Sequence, residues 1–551
     1  MPKNSLLICT ALLAPLSVGA QQAAKDSTLN RTVVVENQYN PEVMDAFKVN
    51  VLPQTAEPQT PKQHIDYATT VRPIGPWQGA PMAPMAGEEE QPAARRGYLR
   101  AAYGNRNNTD VRLSYLWDAS ERDRLGVAAG LYGYSGDLVC NDQKEEHSSR
   151  FFRTAATLDY SHRFDQLTLS FNGNLGSQTF TYLPLDTEAA SPRQRFFFGG
   201  GSVKAASANG ALPLDFAVQT GVQLFSSKHD LPVASAHSET RLHTEGFVGR
   251  TIGEGQKAVI GFQMDNLFYD QAQPTDPFEW RNNSLLQLNP HYTYEDESIR
   301  LRLGVHVDWQ TTVGSGIKVA PDVALDATVS PGYVLYLKAG GGTEQHHFGR
   351  LNQASPYWQA TTAQPLTAYR PIAGEAGLKA SPLTGLEFRL FGGYRITKND
   401  LLLVPSMDAD LLAWTVRLHQ EKTKQAYGGA AVDYDYKGLV GFSLSGTYAN
   451  WKADDTWMLA LKPELEIDAA LRCRILPGLH ANVSYRYEGR TKADGVKMEA
   501  VSLLGAGADY RLLDRLTVFA RLNNLLGKHY FTTEGYPAQG FHALGGLSVD
   551  F

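Results

Sequence analysis

Three features of the sequence predict an all-β chain closed into an antiparallel barrel of about twenty-two strands in a membrane. Short stretches of period-two alternation follow one another from Gly97 to the last residue. They run roughly 11 residues each, close to the ~9–11 that carry a tilted strand across a bilayer. The connections between them alternate short and long. A soluble sandwich accounts for one such strand, or seven, but gives no reason for that alternation of connections.

Composition agrees. The 551 residues include 50 Gly, 26 Tyr and 23 Phe, and only 20% are charged. Mean hydropathy is −0.30, and after residue 20 no stretch approaches the ~18 uninterrupted apolar residues of a membrane helix. There is no triplet, no heptad and no shortage of Val, Leu and aromatics, which excludes collagen, coiled coil and wholesale disorder. A net charge of −6 lacks the basic footprint of a nucleic-acid binder.

Residues 1–20 read as an export signal: Lys3 gives the positive start, residues 6–16 the apolar stretch, and Val18, Gly19 and Ala20 a cleavage site before Gln21. A lipoprotein signal at Cys9 is the poorer reading, because Ile8 stands where a small residue is wanted. The mature chain keeps Cys140 and Cys473, far apart and without metal spacing; two structural thiols are expected instead of a disulfide.

Residues 21–96 carry nine of the chain's 28 prolines. Proline fixes φ and donates nothing to a ladder, so this segment reads as an extended periplasmic tail. Residues 97–551 form the barrel. In the strand beginning at Ile299, Leu301, Leu303, Val305, Val307 and Trp309 share one face, with Arg300, Arg302, His306 and Asp308 on the other. Similar stretches begin at Leu167, Leu461 and Leu479. Turning Arg300 and Arg302 into hydrocarbon costs about 2–4 kcal/mol each near the midplane, so the charged face lines the lumen. Only a closed barrel satisfies every backbone group in lipid. Short turns are expected at 118–122, 162–166, 206–212, 295–297, 330–331, 381–384 and 474–478. Long loops are expected at 135–147, 177–194, 227–237, 311–316, 343–367 and 399–423. In an outer-membrane barrel the turns face the periplasm and the loops face outward.

The last stretch is the most specific text in the chain. Asn523, Asn524, Leu525 and Tyr530, then Gly535, Tyr536 and Pro537, then a final alternating strand ending on Phe551 resemble the carboxy-terminal end of TonB-dependent outer-membrane receptors. The resemblance implies a 22-stranded barrel, nutrient uptake across the outer membrane of a diderm bacterium, and partnership with TonB. The terminal Phe551 resembles the signal read by the barrel-assembly machinery. The family also carries a globular plug before its first strand, and 76 proline-rich residues are too few for one. The tail, the long loops or a partner protein must then fill a wide lumen.

Within the tail, Thr32, Val33, Val34, Val35 and Glu36 look like the extended box with which such receptors add a strand to TonB. An ordinary β-prone stretch is the other reading. No cofactor, phosphate-loop or zinc motif is present, and Gly441-Phe-Ser443-Leu-Ser445 fails as a nucleophile elbow at its last position, so no catalytic residue is expected. His346 and His347 in loop 343–367 are candidate extracellular ligand contacts. Solvated loop histidines are the alternative, since no carboxylate or Cys completes a metal set. Arg350, Tyr357 and Trp358 of the same loop suit stacking on a sugar or aromatic ligand, or else an interfacial girdle. Charges such as Arg300, Arg302, Asp308, Arg389, Arg395, Glu464, Glu466 and Arg486 suit either solute selection or a salt-bridged lining. The resulting expectation is a receptor-like barrel taking part in uptake. A passive porin and a non-transporting structural subunit of an outer-membrane complex are the alternatives, and lipid is the one certain neighbour.

Overall fold

The computed structural model describes residues 95–139, 146–185, 191–208, 212–228, 236–271, 280–358, 364–409, 412–455, 459, 462–490, 499–533 and 536–551. The signal segment, Thr32, Val33, Val34, Val35, Glu36, Cys140 and Gly535 lie outside these residues.

Twenty-two strands form one closed antiparallel sheet, from Gly97–Gly104 to His542–Asp550. Each strand pairs with its sequence neighbours, and the ring closes where Tyr98 faces Asp550 and Gly104 faces Leu544. Gly97 N donates to Phe551 O at 2.6 Å and Phe551 N returns a bond to Gly97 O at 2.9 Å. Every barrel strand therefore has partners on both sides, as a bilayer requires.

The alternation falls on the faces that energetics demands. Along Ile299–Gln310, Leu303 and Trp309 are 47% and 54% exposed on the outer face, while Asp308 on the inner face is 2% exposed. Trp309 lies beside Ile317 and Asp308 beside Lys318 on the next strand, so both rows continue around the wall. The inner charges are paired. Arg302 bonds Asp322 at 2.7 Å and Asn289 at 2.8 Å, and Arg100 meets Asp110 at 3.0 Å. This is the salt-bridged lining, which solvates the interior and holds its arginines away from lipid.

One end of the barrel has tight turns. Strands end and restart at Leu383 and Leu386, and at Leu476 and Leu479. Gly385 and Gly478 sit there at φ +81 and +83, a left-handed conformation that favours glycine. Cys473 is buried near this end, in register with Val440 and Ala481. At the other end the wall is uneven. Its tallest part is the hairpin of Leu386–Asp408 and Ala413–Tyr436, 23 and 24 residues long. The expected loop at 399–423 is therefore a correction: it is ladder, with Asp400 opposite Glu421 and Asp408 opposite Ala413. The run Leu401-Leu402-Leu403-Val404 hid it, because this part of the hairpin buries apolar residues against a protein surface and has no need of strict alternation.

The carboxy-terminal motif also has a local cause. Asn524 follows the strand Leu516–Asn523 at φ +49. Its side chain accepts from Lys528 N at 3.1 Å and donates to Lys528 O at 2.8 Å, which closes the turn.

Candidate functional site

At the loop end, the connection between Tyr333–Glu344 and Ala368–Leu383 does not stand out into solvent. It turns inward and carries the helix Phe348–Ala354 onto the lumen wall. The helix starts at His347, whose ring accepts from Arg350 N, and its Phe348 N donates to both oxygens of buried Glu239 at 3.0 and 2.9 Å. These acceptors satisfy the open N–H groups of the first turn. Asn352 and Gln178 exchange two amide bonds, at 3.0 and 3.2 Å, inside the protein.

The loop is held by an aromatic cluster. Phe348 packs its ring 5.2 Å from Trp280, 4.8 Å from Trp358, 5.4 Å from Tyr269 and 5.9 Å from Phe225. Phe180, Phe196, Tyr182, Leu351 and Tyr536 belong to the same buried cluster. Tyr357 stacks on Tyr536 with ring centres 3.5 Å apart, tying this loop to the one before the last strand.

Above the loop lies the tip of the tall hairpin. Leu185 N donates to Leu412 O, and Trp414 N to Leu183 O, both at 2.8 Å. Val416 N donates to Tyr357 O at 3.0 Å, and Tyr536 Oη donates to Trp414 O. The hairpin is made of the fifteenth and sixteenth strands of the ring, while Leu183 and Leu185 follow the fifth, close to the opposite wall of twenty-two. Hairpin and helical loop together cross the mouth.

The five residues expected as an exposed ligand platform are thus brought together, but as parts of this cap. His346 and Trp358 are buried and His347 is half-buried, so the solvated-loop reading of the histidines does not match their positions. Neither ring nitrogen of His346 has a hydrogen-bond partner among the described residues. Burial pushes the His346 ring down to about 4; burial, reinforced by the Arg241 guanidinium 3.4 Å away, pushes His347 down to about 3. Both rings are neutral at physiological pH. Arg350 ion-pairs with Glu344, which also holds Arg370 at 2.7 Å. Burial and the neighbouring Arg370 and Arg241 lower Arg350 to about 10, which leaves it charged. Burial raises Tyr357 well above the usual phenol range. Trp358 stacks inside the cluster and not at a membrane interface. Among the described residues no three His, Cys, Asp or Glu side chains converge as a metal site would require.

The sequence motifs do not mark Phe180, Phe196, Phe225, Trp280 and Glu239 as members of the site, and Tyr536 stands out only as part of the carboxy-terminal motif. A signal was present: the run Phe196-Phe197-Phe198 breaks the alternation, and an aromatic on the polar face of a barrel strand must meet something other than water.

The sequence matches no protein-family model, and no curated protein matches it. Among solved structures the barrel is similar to a variant of the ferric enterobactin receptor PfeA from Pseudomonas aeruginosa (TM-score 0.65, 14% identity, covering 84% of this chain and 81% of that one). It is similar to the siderophore receptor PirA from Acinetobacter baumannii (TM-score 0.65, 11% identity, 83% and 80% covered). A third likeness is to the copper transporter OprC (TM-score 0.61, 13% identity, 83% and 80% covered). These neighbours are transport receptors, not enzymes. The chain has the 22-stranded outer-membrane barrel fold of the TonB-dependent receptors.

Proposed function

We propose that this outer-membrane barrel takes part in the uptake of a scarce nutrient, with its long-loop end at the cell surface and the tail 21–96 and Phe551 in the periplasm. One observation carries the reading beyond fold: the mouth of a barrel wide enough to pass solutes is crossed by its own hairpin and helical loop. A constitutive diffusion pore works with an open mouth, so the cap favours a regulated entrance over a passive porin. His346, His347, Arg350, Tyr357 and Trp358 are the ligand contacts of this reading, reached once the cap rearranges. Thr32, Val33, Val34, Val35 and Glu36 add a strand to TonB, and Phe551 hands the chain to the barrel-assembly machinery. The tail, whose 76 proline-rich residues are too few for a plug, acts as tether and energy coupling in one.

Purified full-length protein in planar bilayers should show little steady conductance, and cells lacking it should lose accumulation of at least one labelled nutrient in an energy-dependent way. A large, steady, voltage-independent conductance would establish the porin instead. Stoichiometric copurification with a partner, combined with no uptake defect on any nutrient tried, would establish the structural subunit.

A further inference from the structure

The charge pairing of the lumen wall breaks down at one place, beside the seam where the ring closes. Arg100 of the strand Gly97–Gly104 stands directly opposite Arg112 of the strand Thr109–Asp118, a juxtaposition of like charges that destabilises a sheet. Both draw on one carboxylate: Asp110 meets Arg100 at 3.0 Å and Arg112 at 3.0 Å. A third cation joins them from the far side of the closing strand. The ring of Phe519 has the Arg100 guanidinium 4.4 Å from its centre and that of Arg521 5.6 Å away, so one buried ring gathers both. Arg100 and Arg112 repel Arg521, and Asp110 is the carboxylate that attracts it. The next carboxylate along the wall, Asp509 opposite Phe519, is bonded to His480 at 3.2 Å. Three guanidiniums thus share Asp110, which leaves an excess of two positive charges.

The cluster is also open. Glycine stands opposite each of its outer members, Gly130 opposite Arg112 and Gly507 opposite Arg521. On those flanks no side chain of the neighbouring residue covers the guanidinium. Both arginines are exposed on the inner face, Arg112 to 61%. Arg100 beneath them is 7% exposed, and its Nε has no hydrogen-bond partner among the described residues. A buried guanidinium donor left unbonded is costly. The wall here lacks acceptors and negative charge together.

We propose that Arg100, Arg112 and Arg521 form a binding site on the lumen wall for an oxyanion of charge two or more, a solute carrying phosphate or paired carboxylates. Each planar guanidinium takes such a group through parallel N–H donors. Phe519 and Asp110 hold the forks in place, and the solute supplies the charge that Asp110 alone does not. Chloride has neither the charge nor the geometry to bridge two forks. The site names the substrate class of the uptake reading above and rests on that reading for its purpose, while its chemistry stands on the wall alone.

Purified full-length protein in mild detergent is titrated calorimetrically with inorganic pyrophosphate and with citrate at low ionic strength. Saturable binding of either anion is expected, with none of glucose or choline. Arg112→Gln and Arg521→Gln should each weaken it by about tenfold or more; both side chains are exposed, and heat-modifiability checks that the variant barrels assemble. Arg124→Gln removes an exposed arginine paired one to one with Asp118 at 2.9 Å and should leave binding unchanged. Absence of saturable binding of both anions would overturn the site. So would equal weakening in the Arg124 and Arg112 variants, which would reduce the effect to net charge. Calorimetry reads binding and not uptake: a protein that binds pyrophosphate but whose loss costs the cell no nutrient keeps the site and sinks the uptake reading, and an uptake defect without anion binding does the reverse.

Discussion

Phe348→Ala is the change that most directly weighs the cap. The side chain is 2% exposed and touches four other rings at 4.8–5.9 Å. Truncating a buried Phe costs about 3–5 kcal/mol in transfer and cavity terms, and the ring pairs are already part of that figure. The barrel ladders do not depend on this residue, so the loss should fall on the helical loop. At about 1.4 kcal/mol per tenfold, the open population of the loop should rise by roughly two to three and a half powers of ten. Hydrogen exchange reads this at the amides of Leu351 and Ser355, which bond to His347 O and Leu351 O; their protection should drop by that factor while strand amides keep theirs. Leu366→Ala, in the same connection but 42% exposed, should change protection little, as surface truncations stay within about 0.5 kcal/mol. Unchanged loop protection, or a barrel that loses heat-modifiability as a whole, would refute the idea that the loop is a separately held cap.

Acid should loosen the same loop. His346 and His347 have folded-state values below the ordinary 6.5, so their contribution is full above pH 6.5 and is lost as pH falls toward about 4 and about 3, at up to about 1.4 kcal/mol per unit for each ring. A protonated His347 can no longer accept from Arg350 N and repels Arg241; fluorescence of buried Trp280 and Trp358 should report opening between pH 6.5 and 4, and a flat signal contradicts the burial argument. Leu303→Arg on the lipid face should cost about 2–4 kcal/mol and impair insertion, whereas Ser484→Arg on the lumen side should insert normally; equal effects would mean the faces are reversed. A small impermeant maleimide on intact cells should label Cys140 and spare buried Cys473, and the opposite pattern inverts the barrel. Val34→Pro removes a ladder donor and should abolish uptake with the barrel still assembled; normal uptake eliminates Thr32 to Glu36 as the TonB contact.

What was legible in the sequence is what lipid dictates. Arg300 and Arg302 cannot face hydrocarbon, so the strand from Ile299, its neighbours and their register follow from alternation alone. The turns were legible where the alternation breaks off, and Gly385 and Gly478 answer the local backbone demand at or beside them. The cap was not. Phe225 and Trp280 are residue types of a membrane girdle, and nothing local separates an aromatic that meets lipid from one that meets Phe348, 123 and 68 residues further along. His346 and His347 looked like solvated loop residues because burial is set by where the loop folds. The hairpin beyond Asn399 lost its period where its surroundings changed from bilayer to protein.

The way the ring closes bears on how it is made. Each strand pairs with the one just before it in the chain, except at the seam where Gly97–Gly104 meets His542–Asp550. Arg95 and Asp550, ion-paired at 2.9 Å, are 455 residues apart. All but one of the strand pairings therefore have low contact order and need only short loops to close, while the last one bears the entropy of nearly the whole chain. The sheet grows hairpin by hairpin, and until the final strand is seated both of its edges remain bare templates for another chain. Loss of that strand should lead to aggregation, not to a slightly smaller barrel.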